Sequence, residues 1–289
     1  MPDTVQQATK GAQPKQLWWI CGLAVAARIA AALYQGNRVE PLPGIWDQLS
    51  YHTLALRVHG GHGFTFATGW WPATAAGEPT AHWSFLYVLA LTFVYSVFGA
   101  NPIAARLIQA LVAGVLQPLL TFRIARRIFG PRTGLIAAAL AAMNGYFVYY
   151  SGALMTESLY IVALLWVIDI ATAIGLNSAT AERSAPAAPW IVLGLALAIA
   201  VHLRQVALLL VPVVLGWLVW RCIADTAAAG SLARSLRLRT LRGAMVTAAI
   251  VLASALPFTM RNYRAFDTFV LLNTNAGFAF YWANHPVHG

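Results

Sequence analysis

Long apolar runs separated by short polar stretches make up most of the chain, and one polar stretch is far longer than the rest. Trp18 to Tyr34 is the first run, with tryptophans at its start. Gly36 to Trp83 follows, the only long segment of the first half that is not continuously apolar. Further runs lie at about 103–122, 134–154, 157–175, 189–203, 205–221 and 243–259. Runs of about 18 or more nearly uncharged residues predict transmembrane helices. Inside the polar stretch, Asp47 to His59 has apolar residues at 51, 54, 55 and 58 and polar ones at 48, 50, 52, 57 and 59. That spacing predicts a short amphipathic helix lying on the membrane, ended by Gly60, Gly61 and Gly63. Ser84 to Phe98 is apolar but short of the roughly 17 residues a span needs.

Charge decides how that short segment lies. If it does not cross, Arg123, Arg126, Arg127 and Arg132, with Arg221, Arg234, Arg237, Arg239 and Arg242, share a side with Lys10 and Lys15. If it crosses, both arginine-rich loops move outside, against the positive-inside rule. The reading is an all-α polytopic membrane protein of about seven transmembrane helices, with a long first outer loop carrying amphipathic interfacial helices. Residues 1–16 form a cytoplasmic tail and 17–259 the transmembrane module, with the outer loop at 36–102. Residues 260–289 read as an outer-face segment that opens a truncated C-terminal region. All seven histidines then fall outside or at the outer edge.

Composition agrees. The chain is 60% hydrophobic and 10% charged, with mean hydropathy +0.66, whereas soluble domains carry roughly 25% charged residues. The net charge of +10 comes from arginines in short loops between spans, which argues against nucleic acid as a partner. Cys21 and Cys222 both fall near the inner face, which argues against a structural disulfide.

Several polar groups stand out on the outer side. Asp47 opens the amphipathic helix, where it can serve as an N-cap or as a general base at the water–membrane boundary. Tyr51 lies one turn on, either beside a substrate or as an interfacial anchor. Glu78 and His82 sit just before the short apolar segment, and Glu78 can support Asp47 or simply be solvated. Glu157 begins a span at an outward turn, where an acid also suits the helix dipole. Arg204 and Arg261 are outward arginines; guanidinium grips phosphate oxygens in a bidentate manner, and lipid phosphates or Glu157 are the alternative partners. Arg28 lies inside the first span, facing either the interior or the outer interface. The tail, with Asn284, is polar and aromatic and can line a sugar cleft or cover the interface. Gly60-Gly61-His62-Gly63-Phe64 reads as a turn rather than a metal site.

In order and rough spacing these features resemble the GT-C superfamily of membrane glycosyltransferases. The residues that carry the likeness are Asp47 with its helix, the Gly-Gly-x-Gly-Phe turn, Phe98-Gly99, Ala105-Arg106-Leu107 and Arg126-Arg127-Ile128-Phe129-Gly130. Thr156-Glu157-Ser158, Pro257 with Arg261-Asn262-Tyr263, and Asn284-His285-Pro286 complete the set. The branch most similar holds protein O-mannosyltransferases and the aminoarabinose transferases of lipid A. The resemblance implies a polyprenyl-phosphate sugar as donor and a protein, lipid or glycan hydroxyl as acceptor. It also implies inverting transfer at the outer face of a plasma or inner membrane. Asp47 maps to the family's first-loop aspartate; from the residues themselves it is expected to be the general base, with Glu78 and Glu157 as further catalytic acids. Tyr51, His82, Arg204, Arg261, Asn262 and Asn284 are the substrate-binding set. No cofactor or metal is required, although some relatives use a divalent ion. Two departures are Gln48, where relatives carry a second acid, and His82-Trp83-Ser84-Phe85-Leu86-Tyr87, where they show Pro-Pro-Leu-Tyr. A transporter or flippase, and a non-catalytic scaffold, are the alternative readings.

Overall fold

A computed structural model describes residues 14–42, 45–71, 74–176, 187–226 and 232–286. They form eleven α-helices and one short 3-10 helix in this order: α1 Lys15–Gln35, α2 Asp47–His59, α3 Phe85–Phe98, α4 Pro102–Phe129, α5 Pro131–Met143, α6 Gly145–Gly152, α7 Glu157–Leu176, α8 Ala188–Leu203, the 3-10 helix Gln205–Leu209, α9 Leu210–Asp225, α10 Leu232–Phe266 and α11 Asn275–Asn284. Among the described residues extended pairing is limited to isolated bridges in the first loop. Five helices are long and apolar enough to cross a membrane: α1, α4, α7, the joined 3-10 helix and α9, and α10. α3, α5 and α8 are apolar but shorter.

The chain divides into two compact units, Met1–Arg38 with Pro102–Leu165, and Val39–Asn101 with Trp166–Gly289. In the first, α1 and α5 pack on α4, and α6 on α1. Small residues permit the approach: a Cβ on Gly114 would lie 2.8 Å from the Val25 backbone. The run 134–154 is not one helix. It breaks at Asn144, whose extended backbone ends α5 and whose side chain accepts a bond from the Phe147 amide to start α6.

That break leaves carbonyls without helical partners inside an apolar unit, and buried side chains supply the donors. Arg28, fully buried, donates to the Ala141 and Ala142 carbonyls at 3.2 and 3.1 Å, to Ala24, and to Gln117 Oε1 at 2.8 Å. Its alternative placement at the outer interface is therefore corrected: the guanidinium caps α5 from within. Gln109 serves α6 likewise, its amide reaching the Tyr150, Ser151 and Ala153 carbonyls. Arg106 is also fully buried and clasps the Gly36 and Arg38 carbonyls where α1 ends.

In the second unit, α2 lies along α3, and α8 packs on α10 with α9 beside it. α2 has the bounds that its polar pattern predicts, and Gly60 closes it. Its seam with α3 is polar and aromatic: His52 Nδ1 meets the Tyr95 hydroxyl at 2.8 Å, and Tyr51 meets Tyr87 edge-on at 4.9 Å. The loop beyond folds back over α2. Phe66 stacks on Trp70 and meets Trp83 edge-on, and Trp70 donates its indole proton to Ser50 at 2.9 Å.

Candidate functional site

Asp47 is the first residue of α2. The cap position belongs to Trp46, and no side chain caps the helix there. The N-cap reading of Asp47 is thereby corrected, and its carboxylate has no capping bond to make. The group is half-buried. Burial pushes its pKa up, and the Arg204 guanidinium pulls it part of the way back. A carboxyl raised in this way is a stronger base than a solvated one and stays close to a cation.

Arg204 sits in the single-residue turn between α8 and the 3-10 helix, in extended conformation. Its neighbours are pinned on every side the chain offers. Ser84 donates to the His202 carbonyl at 2.6 Å, and the His202 ring meets Ser254 of α10 at 3.1 Å. Gln205 Oε1 accepts from the Asn273 amide at 2.9 Å. Sequence reasoning named Arg204 and passed over these anchors. The signal available was three polar residues, His202, Arg204 and Gln205, between two apolar stretches.

Arg261 is differently employed. Its guanidinium lies 5.4 to 5.7 Å from the rings of Phe64, Phe85 and Phe266, donates to the Thr80 carbonyl at 2.9 Å, and reaches the Phe64 carbonyl at 3.5 Å. It clamps the first loop to α10. Asn262 is fully buried; its amide nitrogen bonds the Val270 and Leu272 carbonyls, and its oxygen accepts from Arg261 at 3.1 Å. Both groups thus hold the outer segment in place.

His82 is half-buried, packed on Trp83 and Phe278, and burial pushes its pKa down to about 4. Its ring is neutral at physiological pH. Tyr51 is buried at the α2–α3 seam. Glu78 is exposed in a turn, its amide bonded to the Ala75 carbonyl. Asn284 is exposed on α11 and bonds back to the Phe280 carbonyl. Glu157 belongs to the other unit, buried in the first turn of α7. Among these site residues, the charge of Arg204 acts on the Asp47 carboxyl. Among the described residues no three His, Cys, Asp or Glu side chains group as a metal site would require.

A family model described as dolichyl-phosphate-mannose-protein mannosyltransferase matches residues 82–260. The chain belongs to that family. It is a membrane glycosyltransferase of the GT-C type, an integral membrane protein whose apolar helices fit that assignment. No curated protein and no solved structure matches it. The matched region contains His82, Glu157 and Arg204; Asp47, Tyr51, Glu78, Arg261, Asn262 and Asn284 lie outside it.

Proposed function

We propose that this glycosyltransferase moves a sugar from a polyprenyl-phosphate donor to an acceptor hydroxyl, with inversion, using Asp47 as general base. Mannose and a protein hydroxyl are the first donor sugar and acceptor to try, because the family's description names them. The acceptor oxygen attacks the anomeric carbon and gives its proton to Asp47. The bond from that carbon to the phosphate oxygen breaks, and the electron pair leaves with the lipid phosphate beside Arg204.

The observation that supports the reading is the half-buried Asp47 carboxyl under the field of Arg204, held in a turn pinned by Ser84, Ser254 and Asn273. Catalysis rewards charges fixed before the reaction begins. In membrane terms the reading has seven passes, α5 and α6 together making one and α8 another. It places the Asp47 loop on the outer face of a plasma or inner membrane. Its partners are the lipid-linked donor, the acceptor and membrane lipids. No step is assigned to a metal.

Release of polyprenyl phosphate from polyprenyl-phosphate mannose, with cell-extract acceptors, tests it. Asp47→Asn is expected to lose at least about 100-fold in turnover while still binding the donor. Undiminished turnover in that variant removes Asp47 from the role.

A further inference from the structure

α10 is longer than a bilayer needs. Its 35 residues, at about 1.5 Å each, run to roughly 52 Å, against about 30 Å of hydrocarbon. Its packed part begins at Gly243, where the Trp190 ring of α8 lies so close that a Cβ would collide with it. Thr247 then donates to the Trp190 carbonyl at 2.8 Å. None of residues 233–242 is buried. Contacts that hold this portion against the end of α9 include Arg237 Nε to Thr226 Oγ1 at 3.2 Å and Thr240 Oγ1 to Cys222 Sγ at 3.1 Å. The segment is a braced projection of helix.

Its outer face decides what it meets. Arg234, Leu238, Leu241, Arg242 and Met245 recur at i, i+4, i+7, i+8 and i+11, which places them on one stripe, and all five are exposed. Leu238 and Leu241 are each 46% exposed and Met245 62%. α10 itself contains no Asp or Glu, and Asp225 at the end of α9 pairs with Arg221 at 3.3 Å. Water penalises the leucines, and hydrocarbon penalises the arginines. A headgroup layer suits both: guanidinium groups bind phosphate oxygens while the apolar side chains reach the acyl boundary.

We propose that residues 234–245 of α10 are a binding surface for anionic phospholipid headgroups. They anchor the end of α10 away from Asn262 at a fixed depth in the bilayer. This surface is independent of the transfer reaction and does not rest on the Asp47 reading. The purified full chain in dodecyl maltoside tests it, by thermal unfolding titrated with dioleoylphosphatidylglycerol or dioleoylphosphatidylcholine and by native mass spectrometry of retained lipid. Wild type is expected to prefer phosphatidylglycerol by about fivefold for each arginine in the stripe. The preference should collapse at about 0.5 M salt.

Arg234→Gln with Arg242→Gln is expected to lose about 25-fold of that preference. Arg234→Lys with Arg242→Lys should keep most of it, which separates charge from misfolding. Equal stabilisation of wild type by the two lipids overturns the proposal. So does a preference that survives in the glutamine pair, or the same shift produced by inorganic phosphate alone.

Discussion

Arg28 and Arg204 are both arginines in a chain with very few charges, and their surroundings are opposite. Arg28 is fully buried in the first unit and spends its guanidinium on three carbonyls and the Gln117 amide oxygen. Arg204 is half-buried at a turn in the second unit, and its field reaches the carboxyl of Asp47. The first arrangement completes the hydrogen bonds of a broken helix, and a charge is tolerated for the donors it brings. The second holds a cation and an acid where both remain within reach of solvent. A charged residue among apolar helices is therefore read by what it has been given to bind.

The comparison breaks most visibly at Arg28. Arg28→Leu leaves Ala141, Ala142 and Gln117 acceptors buried without their donor, each worth about 1–3 kcal/mol, and should cost about 3 kcal/mol or more in all. Denaturation in detergent would show it; a loss under about 1 kcal/mol would mean that the carbonyls find other donors. Asn262→Leu sharpens the contrast within the second unit. It should lower stability by about 1–2 kcal/mol through the lost Val270 and Leu272 bonds, and leave the KM for donor unchanged. A raised KM at unchanged stability would return Asn262 to the substrate.

His82 gives the smallest effect. Burial lowers its pKa to about 4, so the folded protein favours the neutral ring. The stability this contributes is present above the ordinary histidine value near 6.5 and is lost as pH falls towards 4. His82→Phe should flatten that part of the melting-temperature profile, and a profile unchanged by the substitution would contradict the assignment.

Much of this was legible in the residues. The alternation from Asp47 to His59 located α2, because an amphipathic helix announces itself by period alone. The short Phe85–Phe98 helix was set apart by its length. The break between α5 and α6 was hidden inside a run of continuous hydropathy, yet Asn144-Gly145 carried a turn signal that composition masked. Arg106 and Gln109 were harder. Their role is to cap helices distant in sequence, and no local pattern encodes a partner more than forty positions away. At the candidate site, Asp47 and Arg204 were named from type and placement, but their coupling depends on how the loop and the α8 turn converge. Arg261 and Asn262 were assigned to substrate on chemistry; the carbonyls and aromatic rings that they also hold became visible only in the packing.

The most direct measurement of the central claim is the pH dependence of kcat/KM for sugar transfer by wild type and by Arg204→Gln. A base in the free enzyme fails as pH falls through its pKa, which gives an acidic limb. Arg204 holds the Asp47 carboxyl below where burial alone would leave it, so removing that charge should move the limb to higher pH, whatever happens to the maximal rate. A limb that stays in place, or moves to lower pH, would contradict the coupling of Asp47 to Arg204 on which the mechanism rests.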